Sequence, residues 1–183
     1  MRHHRNLLAL AVSAVIAATT MVAVPVSAGA AVVDLVCPAT TATIGFAPPL
    51  TLTPRTTTVT ISSGVANLCL DTSGQTPAVQ SGTFTGQLTT TMSCVTAGNT
   101  PGTATFSWNL ADGTHANSSS SVSLTADVAG EIVVTGTVTG GRFAGATLLG
   151  VFDVTSTNAL NLCLLGQGVS TAALRGPLTF AGS

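Results

Sequence analysis

No lysine and no tyrosine occur in these 183 residues, and charged side chains make up only 6% of them. Beyond the first five residues the cations are Arg55, Arg142 and Arg175, set against Asp34, Asp71, Asp112, Asp127, Glu131 and Asp153. So few cations cannot neutralise a run of phosphates, which argues against nucleic acid as a partner. The scarcity of ionisable groups limits chemistry as well. A nucleophile needs a base within hydrogen-bond reach, and the one histidine past position 4, His115, follows an Asp112-Gly113-Thr114 turn with no GxSxG-type context. Paired carboxylates could cleave a glycosidic bond. Here Asp127 and Glu131 flank a hairpin tip while Asp71 and Asp153 stand alone, which is how exposed surface acids are placed. CxxC spacings are missing, so neither a metal nor a cofactor is expected and no catalytic constellation is assigned.

The chain opens on MRHHR, followed by an apolar run from Leu7 to Val24, then Pro25 and the small residues Val26-Ser27-Ala28-Gly29-Ala30-Ala31. A positive start, an apolar middle and small residues before the cut describe a secretory signal peptide. Residues 1–30 are assigned to it, with cleavage after Ala30 and Ala28 as the competing site. The run is just long enough to span a bilayer as a retained anchor, but the leader reading accounts for its flanks. Lipidation of Cys37 is not expected, because Asp34-Leu35-Val36 lacks the small residue that precedes a lipidated cysteine. Residues 31–183 then form one secreted domain, long enough to bury a core and with no membrane contact after cleavage. The four cysteines, Cys37, Cys69, Cys94 and Cys163, read as two disulfides in an oxidising compartment.

Helical periodicity is nearly missing, while alternation of period two recurs from Arg55 to Phe180. The chain is therefore expected to be all-β, an antiparallel meander of about eight strands. Apolar residues mark one face: Val59 and Ile61, then Phe84, Leu88 and Met92, then Ala104 to Leu110, and so on to Leu178 and Phe180. An earlier strand is expected near Thr41 to Phe46. Turn clusters such as APPL, TSGQTP, TAGNTPG and TGGRFAGA separate the strands.

Glycines fall on the apolar face. Gly86 sits between Phe84 and Leu88, Gly136 between Val134 and Val138, Gly150 between Leu148 and Phe152, and Gly176 between Leu174 and Leu178. A glycine facing inward lets a strand coil sharply and a bulky neighbour lie over it, which predicts a barrel or strongly coiled sandwich. Packing is the first explanation; room for a ligand is the second.

Matching inward residues across turns predicts Leu110 opposite Ala116, or Asp112-Gly113-Thr114 as the tight turn. It also sets Val128 opposite Ile132 with Leu124 opposite Gly136, and Val138 opposite Leu148. Alternating strand direction places Cys37 and Cys69 at one end and Cys94 and Cys163 at the other. A bridge reaches only about 6 Å between α-carbons, so the expected pairs are Cys37–Cys69 and Cys94–Cys163. Asn67-Leu68-Cys69-Leu70 recurs as Asn161-Leu162-Cys163-Leu164, and at the same offset Gly74, Ala78, Gly82 and Thr85 match Gly168, Ala172, Gly176 and Thr179. This is either a duplicated loop-and-strand unit or an accident of a Thr/Gly/Ala-rich composition.

The segments LTLTPRTTTVTISS, SGTFTG with a later SC, GTATFSW with LADGT, VTGTVTGGRFAGA, the late NLCL and the final GPLTF together resemble a family of small exported β-proteins from high-GC Gram-positive bacteria. The likeness covers most of the chain after the leader. It implies secretion and bacterial origin, and it brings no catalytic residue, since its motifs are structural and no activity is attached to them.

One loop stands out. Gly140-Gly141-Arg142-Phe143-Ala144-Gly145 sets a cation beside an aromatic among glycines, suited to contacting a carboxylate or a partner protein. The competing expectation folds Phe143 back on the barrel mouth as a plug. The leading functional expectation is a secreted, disulfide-stabilised, non-enzymatic domain acting through its surface on a cell-wall component or another secreted protein. The alternative is a carrier of a small apolar ligand, with Phe84, Trp108 and Phe152 lining its cavity.

Overall fold

The computed structural model describes residues 32–96, 98–126, 130–156 and 159–182. The leader assigned to residues 1–30 lies outside them, as do Asp127 and Val128. Among the described residues nine strands and one short helix follow in the order β1 (Val33–Leu50), β2 (Arg55–Asn67), β3 (Leu70–Asp71), β4 (Val79–Met92), β5 (Gly102–Leu110), β6 (His115–Ala126), β7 (Glu131–Gly141), β8 (Thr147–Val154), α1 (Ala159–Leu164) and β9 (Val169–Ala181).

The sheet order is β2-β4-β5-β6-β7-β8-β9-β1-β3, and β1 also pairs with β2. Every pairing is antiparallel. Eight strands thus close into an up-and-down barrel, with the two-residue β3 added outside β1. The barrel, rather than the coiled sandwich, is the form adopted.

Alternation sorts the side chains. Leu35, Ile44, Val59, Phe84, Phe106, Trp108, Leu124, Leu148, Phe152, Leu178 and Phe180 are all buried. Outward positions are hydroxyls in cross-strand register: Thr56 with Thr91 (3.4 Å), Thr58 with Thr89 (3.3 Å) and Ser123 with Thr135 (3.0 Å) are each within hydrogen-bond distance. Such pairs stabilise a ladder modestly while leaving its outer face wettable.

The inward glycines divide into two groups. Gly64, Gly82 and Gly150 lie under the rings of Phe84, Trp108 and Phe152, which occupy the space a Cβ would need. Gly86, Gly136 and Gly176 instead face backbone of the neighbouring strand. A Cβ on Gly136 would run into the Ser121 carbonyl, and one on Gly176 into the Val151 carbonyl. Glycine at position 136 therefore lets two strands approach more closely than any side chain permits, which is the local source of curvature.

The hairpin registers correct the expectation by two residues in each case. Trp108 faces Ala116, so Leu110 meets Thr114, not Ala116, and its N–H donates to the Thr114 carbonyl. Ala126 faces Ile132 and Leu124 faces Val134, leaving Val122 opposite Gly136. Gly136 also faces Leu148, while Val138 closes the next loop with Ala146. A shift of two keeps every side chain on its face, so parity cannot detect it. Loop chemistry sets it instead. Asp112 Oδ1 accepts hydrogen bonds from the Thr114 N–H and hydroxyl, and Gly113 adopts φ +82°, making Ala111-Asp112-Gly113 the three-residue turn.

The two bridges lie at opposite ends of the barrel. Cys37 bonds to Cys69 where β1 begins and β2 ends, and Cys94 bonds to Cys163 at the opposite end, tying the segment after β4 to α1. The repeated Asn-Leu-Cys-Leu takes two conformations. Its first copy spans the break between β2 and β3, and its second lies within α1. Local sequence is overruled there by what the flanking chain must connect.

Candidate functional site

The end of the barrel where β5 finishes and β6 begins carries most of the aromatic residues. Trp108 and Phe106 stack on one another at 5.3 Å between centroids, and Phe180 meets both edge-on. Phe84 continues the cluster from β4, 5.5 Å from Phe106. Over the mouth lies Phe143, 1% exposed, its ring edge-on to Trp108 at 6.0 Å and 5.6 Å from Phe180. Phe143 is therefore a plug. Its backbone sits at φ +63°, a left-handed conformation unusual for a bulky side chain.

Arg142 is held just as firmly. Its Nη2 donates to Asp71 Oδ2 at 2.9 Å and to the Gln75 carbonyl at 3.1 Å, its Nε has no partner, and its guanidinium lies 5.3 Å from the Phe143 centroid. The side chains of Arg142 and Asp71 are 8% and 1% exposed. In this structure, then, the pair singled out as an interaction loop faces inward. A polar relay ties it down: Trp108 Nε1 donates to Ser118 Oγ at 2.9 Å, and Ser118 Oγ donates to the Arg142 carbonyl at 2.5 Å.

Asp71 corrects the reading of that acid as solitary and exposed. Burial pushes its carboxyl toward the neutral form, but the Ser73 hydroxyl, the Val79 N–H, Arg142 and the Ser73 N–H all donate to it. Together they hold its pKa below the ordinary value of 3.8. A carboxylate easier to ionise in the fold than in the unfolded chain contributes stability above pH 3.8, lost as pH falls through the lower folded value. Urea titrations of wild type are therefore expected to show stability dropping below pH 3.8. Asp71→Asn should be weaker at neutral pH and should show a shallower acid drop. An unchanged slope in the variant would mean that Asp71 titrates as it does in the unfolded chain.

The remaining candidates are scattered. Trp108 is fully buried, and Phe84 and Phe152 are 6% and 4% exposed. Phe84 and Phe152 line an apolar cavity of about 40 Å³ with Val59, Leu88, Ala104 and Leu124; Trp108 is not part of it. A site for a drug-sized ligand takes roughly 300 Å³ or more. His115 is exposed opposite Asn109. Glu131 and Asp153 face each other across β7 and β8, and Asp153 faces Arg175 on β9, a row on the outer wall that sequence spacing did not suggest. Ser118 and Ser120, both inward and buried, were also missed; Ser120 Oγ has no partner. Their signal was position alone, two and four residues before Val122 on the same face.

Among the described residues no group of His, Cys, Asp or Glu could hold a metal, and no helix is long and apolar enough to cross a membrane. Two disulfides fit a non-reducing, extracellular-type compartment. Comparison with protein families, curated proteins and solved structures returns no match.

Proposed function

We propose that this is a secreted, non-enzymatic β-barrel that acts through its exterior on a cell-wall component or another exported protein of a high-GC Gram-positive bacterium. The observation that supports it is the packed interior, where Phe143 closes the mouth, rings lie on glycines and the cavity beside Phe84 and Phe152 measures about 40 Å³. Small barrels whose side chains fill them use their outer surfaces and loops for recognition.

The exterior has features to offer. Leu68 and Leu70 stand exposed on either side of Cys69, and Leu52, Val95, Leu164 and Leu165 surround the Cys94–Cys163 bridge at the other end. Against a wall of hydroxyls, these aliphatic groups are the natural contact points.

Trp108 is the only tryptophan, so its emission reports the interior. No change is expected across a panel of fatty acids and terpenoids, and a saturable shift would favour the carrier reading instead. A photoreactive residue at Leu164 or Leu68 should give a discrete cross-linked species on intact cells, and one at Thr105 should not. Equal labelling from all three would remove the support for recognition at the barrel ends.

A further inference from the structure

The loop over the mouth combines features that a simple filled end does not require. Gly140, Gly141 and Gly145 bracket Arg142 and Phe143, and around Gly140 and Gly145 there is nothing within 4 Å of where a Cβ would lie. Gly141 and Gly145 hold φ +81° and +94°, and between them Phe143 keeps a left-handed backbone that its side chain disfavours. The loop's side-chain tie to the opposite rim is Arg142, through Asp71 and the Gln75 carbonyl. Asp71 in turn organises its own loop by accepting from Ser73 and Val79.

We propose that residues 142–145 are a latched strap: the Arg142–Asp71 pair holds Phe143 in the mouth, and the strap opens as a unit, pivoting after Gly140 and Gly141, which keep their register with Ser119 and Ser118. Opening bares Trp108 and Phe180 and turns Arg142 and Phe143 outward as a ready-made cation and aromatic anchor. The ladder from Thr137–Thr147 to Glu131–Asp153 does not depend on the strap, and the Cys37–Cys69 bridge ties the other side of the mouth. Opening breaks the Arg142 and Gly145 amide hydrogen bonds and the Ser118 contact to the Arg142 carbonyl but no pair of the β7–β8 ladder, and such local openings lie below global unfolding in free energy. This goes beyond the reading above, which holds whether or not the strap moves.

The test uses the full chain. In wild type, the amide hydrogens of Arg142 and Gly145, bonded to the Asn117 and Val138 carbonyls, should exchange through an opening insensitive to low denaturant. Amides in β5 and β8 should exchange only with global unfolding. Asp71→Asn should speed exchange of the first group several-fold and raise acrylamide quenching of Trp108 by a similar factor. Leu174→Ala, at the far end of the barrel, destabilises the whole fold without touching the latch and should leave quenching unchanged under native conditions. The proposal is overturned if Arg142 and Gly145 share the denaturant dependence of the strand amides. It is equally overturned if Asp71→Asn leaves quenching at the wild-type value, or raises it no more than Leu174→Ala does. Should Asp71→Asn not fold, the wild-type exchange pattern alone decides.

Discussion

Replacing Cys94 and Cys163 together by serine is expected to cost about 4 kcal/mol of folding free energy, and replacing Cys37 and Cys69 about 3.5 kcal/mol. The order follows from loop length: the first bridge closes 69 residues of chain and the second 32, and a longer loop leaves the unfolded chain more freedom to regain. Local structure widens the gap. Helix α1 has six residues, too few to persist alone in water, and the bridge at Cys163 together with Leu162 packed on the core fixes it. Urea midpoints of the two double variants and wild type measure the difference. A smaller loss for the Cys94/Cys163 pair would show that native contacts, not chain freedom, dominate at these ends.

Gly176→Val is expected to destabilise by at least about 3 kcal/mol, the upper range for forcing atoms into a packed interior. The position faces Phe152 across β8 and β9, and the added Cβ would strike the Val151 carbonyl, which is backbone and cannot rotate away. Relief requires β8 and β9 to separate where the barrel curves. Gly45→Thr is the control. A Cβ there would sit 3.7 Å from the Thr60 carbonyl, an ordinary contact, and threonine suits a strand better than glycine does. That variant should lie within about 0.5 kcal/mol of wild type or be slightly more stable. Thermal unfolding of the two single variants gives the comparison; equal effects would sink the claim that inward glycines set the curvature.

How much of this was legible in the sequence depends on which physical constraint was acting. Faces were readable, because side chains along a strand alternate whatever else happens: Gly136, Trp108 and Phe180 lie on the buried face that the pattern assigned. Strand ends were readable well enough to place the cysteines. Register was not, since sliding by two residues leaves the pattern unchanged and only turn geometry, as at Asp112 and Gly113, decides. Ser118 and Ser120 were invisible because hydroxyls normally face water, and inside the barrel Ser118 accepts from the indole of Trp108 and donates to the Arg142 carbonyl. The partnership of Asp71 with Arg142 was likewise hidden. It spans 71 positions and exists only once the barrel closes.

Closure has a consequence for how such a chain resists aggregation. Stretches such as TTTVTIS and EIVVTGTVT carry high β-propensity and almost no charge, the composition from which fibrils grow. Growth needs a row of unpaired amides as template, and the pairing of β1 with both β2 and β9 uses up the two that a nearly complete meander would leave. Ring closure thus takes over the colloidal protection that lysine and glutamate give other proteins, by a means that salt does not screen.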